Sequence, residues 1–126
     1  MYIFIDNTKT EETAFFVFYS DADWRKEIFN DDGEGSLERS FEKVLNKYNA
    51  NYEDVKGIAV RVGKGRFTAT RLAITFVNTL ALALKIPVVA VNEDEPEEIL
   101  RKIKNAPLGK YAEATYSGEP RVGGKD

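Results

Sequence analysis

Four cations and two glycines lie within one short stretch of this chain. Arg61, Gly63, Lys64, Gly65, Arg66 and Arg71 follow one another with no acidic residue between them. Closely spaced glycines let a backbone turn sharply and approach whatever sits there. A helix that begins near residue 67 would add unpaired N–H groups and the positive end of its dipole. That chemistry suits an anion or an acidic partner, and it marks Gly63, Lys64, Gly65, Arg66, Thr68 and Arg71 as candidate site residues. The same residues also read as a surface loop, with Thr68 capping a helix and the basic side chains solvated. Short glycine motifs often match by chance, so both readings stand.

Two absences narrow the chemistry further. The 126 residues include no histidine and no cysteine. This removes the commonest general base, the Ser-His-Asp triad, thiolate metal sites, disulfides and a cysteine nucleophile. Asp6 is the acid that ends the first apolar run. A metal-dependent nuclease would need further carboxylates at neighbouring strand ends. The run 55–62 ends instead in Arg61-Val62 and leads into Gly63. No catalytic residue, metal or cofactor is therefore expected, and Asp6 reads best as a strand-end turn former.

The elements that must position these residues follow from periodicity. Residues 2–5, 13–19 and 24–29 read as three strands joined by short turns, an antiparallel meander. The second is apolar throughout and so buried on both faces, while the third carries charge, as an edge strand does. A helix follows, with Ser36 as cap and Leu37, Phe41, Val44, Leu45 and Tyr48 on one stripe. Then come a strand over 55–62, a helix over 67–84, a strand over 87–91 and a helix opening at Glu95-Pro96-Glu97-Glu98, with acids against its dipole. The order βββαβαβα and its mixed five-stranded α/β sheet are those of a single ribonuclease-H-like lobe of the actin, Hsp70 and hexokinase superfamily. One domain over 1–106 and a tail over 107–126, with a short strand at 112–116, are expected.

The helix over 67–84 is apolar around most of its circumference, so it needs cover on more than one side. Ala69, Leu72, Ala73, Phe76, Val77 and Leu80 are the candidate partner-interface residues. With Leu72, Phe76 and Leu80 on one side, Ala69, Ala73 and Val77 lie beside them within reach of a second surface, where small side chains permit close approach. The net charge of −3 and a pI near 5.1 disfavour general affinity for nucleic acid. The opening residues are too short an apolar run for a signal peptide, and the 72–84 segment is too short and too polar to span a bilayer. A soluble, cytoplasmic protein is expected.

Several segments carry a resemblance. Gly63-Lys64-Gly65-Arg66-Phe67-Thr68-Ala69-Thr70-Arg71, the alanine- and leucine-rich helix after it and Ile86-Pro87-Val88-Val89-Ala90-Val91 resemble the TsaB family. Ile3-Phe4-Ile5-Asp6-Asn7-Thr8 is similar to the family's opening I-D-T-S. Tyr116-Ser117-Gly118-Glu119-Pro120-Arg121-Val122 is similar to its E-P-N-I segment. Lys64, Arg66 and Ala69-Thr70 depart from the family's G-P-G-S-F-T-G-L-R. The resemblance implies a non-catalytic subunit for threonylcarbamoyladenosine synthesis in tRNA. It would pair with the enzyme TsaD through its helices, with the ATPase TsaE at the junction and tRNA met only through the complex. It also implies that Asp6 is the superfamily's phosphate-side acid, now vestigial. Family members usually have a second lobe, which looks deleted here. Without a partner, a homodimer through the same helix is expected. The alternative is a homodimeric binding module of the same fold that takes a nucleotide or RNA at the glycine loop.

Overall fold

The structure is a computed structural model that describes residues 1–9, 12–30, 37–63 and 67–113, apart from the side chains of Phe67 and Thr68. Its elements are β1 (Tyr2–Asp6), β2 (Glu12–Ser20), β3 (Asp23–Asn30), α1 (Leu37–Lys47), β4 (Gly57–Arg61), α2 (Phe67–Leu84), β5 (Val88–Val91) and α3 (Pro96–Asn105), with one turn of 3-10 helix at Tyr52–Asp54. The sheet order is β3-β2-β1-β4-β5. β1, β2 and β3 pair antiparallel, whereas β4 runs parallel to β1 and β5 parallel to β4. This is the expected mixed five-stranded sheet, with β3 at an edge.

Alternation along the strands divides the core. Ile3 and Ile5 of β1 join Phe15, Val17, Ile58 and Val60 beneath α1 and α2. Phe4, Phe18, Ala59 and Val91 face the other way, beneath Ile99, Leu100 and Ile103 of α3. Side chains at successive strand positions point to opposite faces, so the fully apolar run of β2 is what a doubly covered strand requires. Gly57 shows how closely α3 packs, because a Cβ there would lie 2.6 Å from Ile103 Cγ2. On the opposite face Phe41 of α1 stacks on Tyr52 and meets Phe76 of α2 edge-on. α3 carries Glu97 and Glu98 in its first turn and Lys102 and Lys104 in its last, as its dipole favours.

The fourth strand, Gly57–Arg61, is shorter than the 55–62 run that predicts it, and Val55 instead closes the 3-10 turn, donating its N–H to the Tyr52 carbonyl. Ser36, expected to cap α1, lies outside the described residues. So do 114–116 of the expected short strand, and residues 111–113 form none. The chain after α3 is nonetheless held to the lobe. Asn78 of α2 donates to the Ala112 carbonyl at 3.0 Å and accepts from its N–H at 2.9 Å. Ala112 is buried in the α2-side core. An amide inside an apolar helix thus satisfies backbone that would otherwise be stranded.

A latch joins α1 to the edge strand. Lys47 Nζ donates to Glu27 Oε1 at 2.8 Å, and the Tyr48 hydroxyl donates to Glu27 Oε2. The bonds from Lys47 and then Tyr48 hold the Glu27 carboxyl below its usual range. Burial, reinforced by Glu27, pushes Tyr48 up to about 12, and burial with a bond to Glu42 pushes Tyr52 up to about 12. A raised tyrosine pKa favours folding fully below the unfolded value near 10, and that contribution is lost as pH rises from about 10 toward 12. A lowered carboxylate pKa favours folding above the unfolded value and is lost as pH falls through the folded one. Stability measured by denaturant titration should therefore fall on both sides of a neutral plateau. Replacing Tyr48 and Tyr52 together with Phe should flatten the alkaline limb and, with one of the two bonds to Glu27 gone, also reduce the acid limb. An alkaline limb unchanged in that variant would contradict this assignment.

Candidate functional site

Asp6 ends β1 and Arg61 ends β4. The parallel register sets Ile5 against Val60, which brings these two side chains together one residue later. Arg61 Nε donates to Asp6 Oδ2 at 3.0 Å, and Arg61 Nη2 lies 3.1 Å from Asp94 Oδ1. The guanidinium also covers the Phe4 ring at 5.1 Å. Asp6 Oδ1 accepts from the Thr8 N–H at 3.1 Å and from its hydroxyl at 2.5 Å. Both oxygens of Asp6 are thus engaged within the lobe, as a strand-end turn former requires. Glu93 is likewise bonded to Lys102, which lowers its carboxyl pKa.

Arg61 therefore does not belong to the exposed basic set in which the sequence places it. Only 6% of the residue is exposed, because its guanidinium lies over the Phe4 ring and pairs with two acids, which favours the inward position. Sequence reasoning missed this hub. Its signal was an arginine closing an otherwise apolar strand, with an acid closing another. Among the described residues, no three acidic, histidine or cysteine side chains group as a metal site would need.

Gly63 begins the turn after β4 with φ of 89°. A Cβ there would lie 2.8 Å from Asn92 Nδ2. The positive φ favours glycine, and a Cβ would in addition displace the Asn92 side chain. Lys64, Gly65 and Arg66 lie outside the described residues, as does the Thr68 side chain. Arg71 is on the surface. Nearby, Asn7 Nδ2 donates to the Ala69 carbonyl at 2.9 Å, and Asn7 Oδ1 accepts from the Thr13 hydroxyl at 2.6 Å. These bonds tie the first turn of α2 to the end of β1.

The facing of α2 corrects the expected interface at its small stripe. Ala69, Ala73 and Val77 are buried, and Ala73 and Val77 belong to the lobe's own core. Leu72 is 60% exposed, while Phe76 and Leu80 are partly buried at the margin of that core. The two stripes, spaced by four, are the expected neighbours on a helix. The small stripe faces the sheet because Ile58, Val60 and the other large side chains there fill the space beneath α2. Leu72 instead overhangs a cleft of about 460 Å³ between α1 and α2, lined also by Phe29, Leu37, Thr75 and Phe76. Asn7, Thr13, Asn30, Glu38 and Ser40 add polar groups to its lining.

A five-stranded sheet of this order, with two helices on one face and one on the other, defines a single ribonuclease-H-like lobe. A family model described as "TsaD: tRNA N6-adenosine threonylcarbamoyltransferase" matches residues 33–95, half of the chain. The chain belongs to that family, and its structural relatives make it TsaB-like. YeaZ from Pseudomonas aeruginosa superposes with a TM-score of 0.62 at 26% identity, over 73% of this chain and 42% of YeaZ. An uncharacterized protein with similarity to peptidase YEAZ from Pseudomonas aeruginosa gives 0.59 at 25% identity, over 73% and 43%. The chain thus spans less than half the length of either. No curated protein sequence matches it significantly. Among the described residues, no helix is long and apolar enough to cross a membrane.

Proposed function

We propose that this chain is a non-catalytic scaffold subunit in tRNA threonylcarbamoyladenosine modification, working in the cytoplasm. It binds and stabilises a TsaD-type catalytic partner through α2, and meets tRNA only within that complex. The observation that carries this reading is the exposed Leu72 beside the cleft of Phe29, Leu37 and Phe76, in a chain of this family. A large apolar side chain at a concave apolar surface is the usual form of an interface anchor. Phe76 and Leu80 extend that surface, while Ala69, Ala73 and Val77 support it from beneath. The 63–71 loop, with Lys64, Arg66 and Arg71, adds positive charge toward an acidic part of the partner. Without TsaD, two copies pair through the same face, and a TsaE-type ATPase joins the assembled complex. The lobe itself is taken as 1–106, with 107–126 as a tail whose start is held on the lobe through Ala112.

The non-catalytic part of the reading rests on Asp6. Thr8 and Arg61 engage both of its oxygens, and this leaves it poorly placed to hold a phosphate-bound cation. The same hub argues against a nucleotide site at this end of the sheet. The purified chain should neither hydrolyse ATP nor cleave nucleic acid. Added to TsaD-type enzyme from the same source, with the activated threonylcarbamoyl intermediate and tRNA, it should raise the yield of modified tRNA. Metal-dependent turnover by the chain alone, abolished in Asp6→Asn, would overturn the non-catalytic assignment.

A further inference from the structure

The far end of α2 carries a second concave surface, distinct from the Leu72 cleft. Leu82, Leu108 and Tyr111 are 65%, 66% and 58% exposed. They surround a pocket of about 210 Å³ completed by Ile86, Lys85 and Lys110. Half of the large hydrophobic side chains found exposed among the described residues are gathered here. Such clustering marks interaction sites, whereas single exposed leucines do not. Among the described residues no acidic one lines the pocket, although acids outnumber bases in the chain as a whole.

Lys85 supplies a second observation. α2 ends in a Schellman turn, with the Ile86 N–H donating to the Ala81 carbonyl at 3.1 Å and Lys85 in the left-handed conformation at φ of 59°. Glycine is favoured at that position, and a lysine there is strained. Lys85 thereby lines an apolar pocket together with Lys110, which lies on the segment that Asn78 secures. We propose that this pocket docks an acidic segment of a partner protein. One apolar side chain enters between Leu82, Leu108 and Tyr111, and flanking carboxylates meet Lys85 and Lys110.

The test uses the full chain and two capped pentapeptides, Glu-Glu-Leu-Glu-Glu and Lys-Lys-Leu-Lys-Lys. The protein is net negative, so undirected attraction favours the lysine peptide. Nuclear magnetic resonance titration should show saturable shifts at Leu82, Lys85, Leu108, Lys110 and Tyr111 with the glutamate peptide only, weakening as salt is raised. Lys85→Gly with Lys110→Ala should weaken that binding roughly tenfold, the effect of losing two screened ion pairs. Lys85→Gly alone should melt no lower than the wild type, which separates a binding role from a structural one. Leu82→Asp, at an exposed position, should abolish binding without unfolding the lobe. Equal binding of both peptides, shifts centred elsewhere, or undiminished binding in the double variant would overturn the proposal. So would a dimer, seen by sedimentation, that Leu82→Asp dissociates and Leu72→Arg does not. Because Leu72 lines a different cleft, failure here leaves the α2 partner reading untouched.

Discussion

Ala73→Arg is expected to unfold the protein. Ala73 is 1% exposed and packs in the core between α2 and the sheet. An arginine there overfills the space, at about 1–3 kcal/mol. It also buries a charge with no partner, at a cost on the order of 3–5 kcal/mol by analogy with a broken buried pair. A domain of this size is stable by only about 5–15 kcal/mol. Circular dichroism and thermal melting should show a largely unfolded chain, or a melting temperature far below that of the wild type. Leu72→Arg, one position earlier but outward, should alter stability by no more than about 0.5 kcal/mol. Were Ala73→Arg to fold normally, α2 would have to be rotated from the orientation described.

The second large effect is expected at Arg61. Arg61→Ala removes the only bond reaching Asp6 Oδ2 among the described residues and uncovers the Phe4 ring. Asp6, with 17% of its side chain exposed, is left with little water to replace the lost partner. Breaking a pair so far buried costs on the order of 3–5 kcal/mol. Arg61→Met with Asp6→Asn should lose less than Arg61→Ala, because the apolar stem is retained and no buried charge is left alone. Asp94→Ala should matter little, since its side chain is 75% exposed and exposed pairs contribute about 0–1 kcal/mol. Urea midpoints for the three variants check this order. A midpoint for Arg61→Ala equal to that of Asp94→Ala would show that the hub is not structural.

The architecture was legible because its signals are local. The meander, the strand–glycine–helix unit and the proline-led α3 each announce themselves within a few residues, and α2 spans the predicted 67–84. The facing of α2 was not legible for the opposite reason. A helix apolar on most sides carries no contrast to show which stripe is buried, so Leu72 and Ala73 looked interchangeable. Only the size of the side chains on the sheet decides between them. Arg61 was misplaced because its partners come from elsewhere in the chain. Asp6 is 55 residues away and meets it only through the parallel β1–β4 register. Asn78 is a similar case, a polar residue whose partner, Ala112, lies 34 residues on. Of the glycine-loop residues, Gly63 is explained by its conformation and by Asn92. Lys64, Gly65 and Arg66 fall outside the described residues, so the anion reading of that loop remains a proposal from sequence.

The central claim is that the outward face of α2 joins this lobe to a TsaD-type protein. Its most direct test is the affinity of the purified chain for that protein from the same source, measured by calorimetry for the wild type and for Leu72→Arg. The wild type should form a one-to-one complex. Leu72→Arg should keep the wild-type circular dichroism spectrum and bind at least about tenfold more weakly, as truncation of a central apolar anchor commonly does. No complex at any accessible concentration, or equal affinity for the two proteins, would contradict the claim.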